Sequence, residues 1–143
     1  MAGSDHAFKK IDYEAVVNFA KMSTRCRCES FVAVSSLGAD ADSSNFYLKT
    51  KGEMEQEIKK IKPVGSYFLR PSLLLGDRSQ FRLLERLAII TAPFYSGLLL
   101  GSLQKYKPVQ ATDVAKVMVL IANKKVSCLS VVENKQIHEL SQN

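Results

Sequence analysis

Tyr47 and Lys51 stand four residues apart. On a helix that spacing puts both side chains on one face, a turn from each other. An ammonium beside a phenol favours the phenolate, and such a phenol can pass a proton to or from a substrate oxygen near neutral pH. The spacing alone is weak, since Tyr-x-x-x-Lys arises by chance in many helices. Its surroundings strengthen it. Ser35-Ser36 closes a short apolar run, with Ser36 eleven residues before Tyr47. In open α/β sheets ligands bind at the carboxyl ends of strands. A serine hydroxyl there can donate to the oxygen that Tyr47 protonates.

These residues need a strand and a helix to position them. Residues 30–36, SFVAVSS, read as a buried strand. A polar loop follows from Leu37 to Asn45. Helical patterning runs from about 45 to 61, with Ser44 or Asn45 as the N-cap. Glu53, Glu55 and Glu57 precede Lys59, Lys60 and Lys62, in keeping with the helix dipole, and Pro63 and Gly65 stop the helix. Upstream, residues 8–22 place Phe8, Ile11, Ala15, Val16, Phe19 and Ala20 near one helical face. Downstream, strands are expected near 66–70 and 127–132. Helices are expected near 79–91, 111–123 (capped by Thr112, with Val114, Val117, Met118 and Ile121 inward) and 134–141. Residues 94–104 are apolar and ambiguous between the two. Strands alternating with helices imply a parallel sheet with helices on its faces, in one domain spanning 1–143.

The composition is that of an ordinary globular domain, 46% hydrophobic and 24% charged over 143 residues. No apolar run reaches the length of a membrane span, and MAGSDHAFKK is not a secretory signal. Cys26, Cys28 and Cys128 make neither a disulfide framework nor a zinc set. They read as free thiols of a reducing cytoplasm, and no metal site is expected. The net charge of +6 permits attraction to a polyanion such as a phosphorylated cofactor. It is scattered rather than striped, so nucleic acid is not an expected partner.

The run VAVSSLGADADSSNFYLKTKGEMEQEI (32–58), the segment RPSLLLGDR (70–78), AFKKIDYE near the start and the ending VVENKQIHEL carry a resemblance. They resemble the atypical short-chain dehydrogenase/reductases, most closely the HIV Tat-interactive-protein (oxidoreductase) family and its bacterial NAD(P)H-binding relatives, over nearly the whole chain. The resemblance implies a Rossmann-like, doubly wound fold and hydride transfer between NADPH or NADH and a small carbonyl or alcohol. It implies Tyr47 as general acid/base and Lys51 as holder of the nicotinamide ribose and tuner of Tyr47. Ser36, or less favourably Ser35, would polarise the carbonyl. Main chain around Pro71, Ser72, Leu73 and Leu74 would line the nicotinamide, with Arg82, and next Arg78, near cofactor or substrate.

One departure stands out. The family fold opens with a strand, a glycine-rich turn and a helix that cradle the diphosphate. Gly3, Gly38, Gly52, Gly65, Gly76, Gly97 and Gly101 form no such turn. The expected fold is therefore an incomplete doubly wound parallel sheet, lacking the N-terminal dinucleotide-binding half, with one sheet edge and part of both faces open. Two readings follow: an oxidoreductase homologue represented by its C-terminal portion, with cofactor grip and activity in question, or a non-catalytic interaction protein that keeps the sheet and helices as a dimerisation or partner-binding surface.

Overall fold

A computed structural model describes residues 2–75, 106–124 and 129–142. The expected helix 79–91, the segment 94–104, Arg78, Arg82 and Cys128 lie outside the described residues.

The chain opens with one long helix in three segments: α1 (Ala2–Lys9), a π-helical turn (Lys10–Ala15) and α2 (Val16–Arg25). It passes Ser23 and ends where Arg27 takes a left-handed conformation. There the amides of Arg27 and Cys28 donate back to the carbonyls of Thr24 and Ser23, which satisfies the last turn. Cys26 and Cys28 are free and exposed. Then come β1 (Phe31–Val34), α3 (Phe46–Ile61), β2 (Ser66–Arg70), β3 (Leu74–Leu75), β4 (Val109–Gln110), α4 (Ala111–Ala122), β5 (Ser130–Glu133) and α5 (Asn134–Ser141).

The main sheet has the order β1-β2-β5, all parallel, with Ala33 opposite Phe68 and Phe68 opposite Val131. Its central strand β2 alternates its side chains between two cores. Phe68 points to one with Phe31, Ala33, Met54, Ile58, Val17 and Ala20. Tyr67 and Leu69 point to the other with Val114, Val117, Ile121, Val132 and Ile137. The first helix and α3 cover one face and α4 and α5 the other. The expected α/β class, parallel sheet and flanking helices stand. The expectation of partly open faces does not hold for these three strands. The outer edge of β1 has no strand partner among the described residues.

Three details differ from the expectations. Ala20 is buried as expected, but Ile11 and Phe19 are 66% and 68% exposed, Ala15 is exposed as well, and Val17 and Ser23 are buried in their place. A single helical period does not run through the π-helical turn, so a face extrapolated across it is misplaced. Thr112 does not cap α4, which starts at Ala111 after Gln110 with no side-chain cap. A second, two-stranded parallel ladder pairs Leu74–Leu75 with Val109–Gln110; strands this short carry no periodic signal.

The loop between β1 and α3 folds back onto the helix. Gly38 turns it with φ +77°, and the Asp40 amide donates to the Leu48 carbonyl at 3.2 Å. At Gly52 the loop backbone comes so close that a Cβ would overlap both the Ala41 nitrogen and the Asp40 carbonyl carbon. Gly52→Ala is therefore expected to lower the unfolding free energy by about 2 kcal/mol or more, read from urea denaturation. An unchanged midpoint would show that the loop does not rest on α3.

Candidate functional site

Asn45 resolves the cap of α3: its side-chain oxygen accepts the amides of Tyr47 at 3.0 Å and Leu48 at 3.2 Å. This fixes the first turn, which carries Tyr47. Tyr47, Lys51 and Glu55 recur at four-residue spacing and form one stripe along α3. The stripe faces the carboxyl ends of β1 and β2.

Lys51 is buried, with a side chain 7% exposed. Its ammonium donates to Asp12 Oδ1 at 2.6 Å and to the carbonyl of Val34, the last residue of β1, at 3.2 Å. Tyr47 lies one turn nearer the helix start. The Phe8 ring rests on it with centroids 5.4 Å apart and also meets Phe46 at 6.0 Å.

Glu55 was read from sequence as one of three acids serving the helix dipole. It is instead buried at the centre of a hydrogen-bond network, with a side chain 2% exposed. Its Oε1 accepts from Ser35 Oγ at 2.6 Å and Arg70 Nε at 2.9 Å, and its Oε2 accepts from Arg70 Nη2 at 2.7 Å. Arg70 also reaches Glu133 and the Ala39 carbonyl, each at 3.4 Å. The hydrogen bond to Glu55 raises the guanidinium pKa above its ordinary value, against desolvation, with the charges of Glu55 and Glu133 adding to it. A raised pKa contributes stability that is complete below the ordinary arginine range and is lost only above it. Arg70 therefore stays charged wherever the protein folds.

The two serines separate. Ser35 and Ser36 are both buried, but the Ser35 hydroxyl is committed to Glu55. Among the described residues, the Ser36 hydroxyl makes only a 3.4 Å contact to the Leu37 carbonyl. The β1–β2 ladder runs on past both, from the Ser35 amide to the Leu69 carbonyl at 2.7 Å and from the Leu37 amide to the Pro71 carbonyl at 2.9 Å.

Beyond Arg70, residues 71–74 are tied down. Asn134, buried at the start of α5, accepts the Ser72 amide at 2.9 Å. The Lys107 carbonyl accepts the Ser72 hydroxyl at 2.7 Å and the Asn134 amide at 2.9 Å. Leu73 gives its carbonyl to the Val109 amide, and Leu74 is in β3. The Ser72 amide is thus already spent. The structure brings Tyr47, Lys51, Ser36 and the 71–74 main chain to one end of the sheet.

Sequence reasoning missed Asp12, Glu55 and Asn134. Glu55 had a usable signal, as the next member of the Tyr47–Lys51 stripe. Asp12 and Asn134 depend on long-range packing and had none. Ser35→Ala is expected to cost about 1–3 kcal/mol, because it strips a buried carboxylate of a donor. Ser36→Ala should cost less than about 1 kcal/mol. Urea denaturation of both variants checks the split, and equal losses would contradict it.

No family model matches the chain. It is 39% identical over 127 residues to the mitochondrial protein FMP52 of Candida albicans, covering 88% of this chain and 55% of that one. It is 38% identical over 119 residues to the mitochondrial FMP52-1 of Scheffersomyces stipitis, covering 82% and 52%. It is 38% identical over 87 residues to HTATIP2 of Rattus norvegicus, covering 61% and 36%. The chain thus spans about half the length of the FMP52 relatives it matches. These relatives overturn the expected cytoplasmic location, since the FMP52 proteins are named as mitochondrial. Among the described residues no helix is long and apolar enough to cross a membrane. Over part of their length, the chain is a homologue of the FMP52 and HTATIP2 proteins, in keeping with the family resemblance of its sequence.

Proposed function

We propose that residues 1–143 are one domain, the C-terminal, substrate-side portion of an NAD(P)-dependent oxidoreductase acting on a small, partly apolar carbonyl or alcohol. The observation that carries this reading is the juxtaposition of a buried, ion-paired Lys51 with Tyr47 one helical turn away and a lightly engaged Ser36 at the adjoining strand end.

In this reading Ser36 donates to the substrate oxygen and polarises the carbonyl. Tyr47 delivers the proton to that oxygen in reduction and removes it in oxidation. The Lys51 charge stabilises the phenolate that results. An ammonium has three donors, and Lys51 spends two on Asp12 and Val34. The third suits a ribose hydroxyl. The rigid 71–74 segment offers a wall for a nicotinamide ring. The bound nicotinamide would supply or accept the hydride. These residues fit the nicotinamide-ribose part of the cofactor. No glycine-rich turn for the diphosphate occurs in the sequence, so tight binding calls for a longer form of the chain or a partner that provides one.

A second reading, a non-catalytic protein that self-associates, has one observation behind it. Ile11, Phe19 and Met22 are 66%, 68% and 57% exposed along the first helix, an apolar stripe that a second copy could cover. Light scattering that gives a monomer at all accessible concentrations would remove it.

NADPH titration by fluorescence, on this chain and on a form extended to the relatives' length, tests the first reading. The extended form is expected to bind NADPH and reduce an apolar aldehyde or ketone. Tyr47→Phe should cut turnover by about 10²–10⁴-fold with affinity nearly unchanged, and Lys51→Ala should weaken both. Absence of binding in both forms would overturn it.

A further inference from the structure

The partner of the Lys51 ammonium comes from 39 residues away in sequence, on a different helix. Asp12 lies in the π-helical turn Lys10–Ala15, between two segments of ordinary α-helix. The flanking backbone at Lys9, Ala15 and Val16 is right-handed helical, so the helix is continuous and the turn widens it by about one residue. Such turns are rare, and where they persist they are often at functional sites.

The widening decides what faces α3. Val17 and Ala20 define the inner face of α2. A regular helix run back from them would bring Lys9 near that face and turn Phe8 about 150° from its centre. With the extra residue Phe8 lies on the Tyr47 and Phe46 rings, while Lys9 sits at the rim in a 3.2 Å contact with Glu53. Asp12, one turn on, reaches Lys51 at 2.6 Å. One local irregularity thus sets a contact to each member of the Tyr47–Lys51 pair. Two of the three ammonium donors are committed to fixed acceptors, so tetrahedral geometry fixes the direction of the third.

We propose that the π-helical turn is the positioning device of the pair, with Asp12 the positioning residue for the Lys51 ammonium. Its chemical purpose rests on the oxidoreductase reading; the positioning itself does not. The test is therefore chosen to need no cofactor.

Side-chain ¹H–¹⁵N spectra of the lysine-labelled chain should show a protected ammonium signal for Lys51 that exposed lysines such as Lys60 do not give. Asp12→Asn keeps the shape and removes the charge. It should abolish that signal and speed acylation of Lys51 by about tenfold or more, because the buried ammonium is no longer held by a charge. Lys9→Ala should leave both readouts as they are. Where a form of the chain binds NADPH, Asp12→Asn should also weaken it, and should have no further effect on Lys51→Met. A Lys51 signal that survives Asp12→Asn overturns the proposal even if NADPH binds. Failure of NADPH binding alone overturns the functional reading and leaves the positioning intact. If Asp12→Asn unfolds the chain, adding Lys51→Met should restore the fold by removing the unpaired buried cation. A double variant that stays unfolded overturns the proposal.

Discussion

The buried carboxylate of Glu55 is the point on which the arrangement turns. It takes two donors from Arg70 at the end of β2 and one from Ser35 at the end of β1. Helix α3 is thereby fastened to two adjacent strands at one height. Removing two charges from water costs several kcal/mol per ion, and the geometry must recover that. A bidentate pair with a third donor recovers it and is sharply directional. Hydrophobic packing of Met54 and Ile58 against Phe68 holds α3 to the sheet, but packing alone tolerates sliding along the strand direction. The ion pair does not. It fixes the height of α3 and hence where Lys51 and Tyr47, one and two turns further toward its start, stand above the strand ends.

The other contacts build on that register. Gly52 admits the loop after β1 against α3, and Arg70 holds the loop's Ala39 carbonyl. The first helix then lays Asp12 and Phe8 over Lys51 and Tyr47. On the opposite face, Asn134 and the Lys107 carbonyl lock Ser72. The site thus has rigid supports from both layers of helices. The sequence contains no glycine-rich turn, and the chain spans about half the length of the FMP52 relatives it matches.

Much of this could be read in the sequence, and the rest was hidden for physical reasons. Helix α3 was legible because its Asn45 cap, its charge order and its Pro63 stop are local signals. Tyr47 and Lys51 were legible because four-residue spacing on a helix is a geometric fact. Glu55 is disguised by Glu53 and Glu57, which alternate with it; in sequence only its place in the Tyr47–Lys51 stripe tells it apart, and in the structure its burial does. The inner face of the first helix was misassigned because a 3.6-residue period presumes a regular helix, and the π-helical turn breaks it between Ile11 and Phe19. Asp12 therefore looked like any surface acid. The β3–β4 ladder joins strands of two residues, too short for any pattern. The split between Ser35 and Ser36 depended on which hydroxyl meets Glu55, a question of register that spacing does not answer.

The central claim is that the Glu55–Arg70 pair sets the register of α3. A double-mutant cycle with Glu55→Gln and Arg70→Met, followed by urea denaturation, measures it directly. Each single variant leaves a buried group uncompensated and is expected to cost about 3–5 kcal/mol, with the double variant losing much less than the sum of the two. Additive losses, or singles that cost under about 1 kcal/mol, would show that the pair is a surface-like contact and that α3 is held by packing alone.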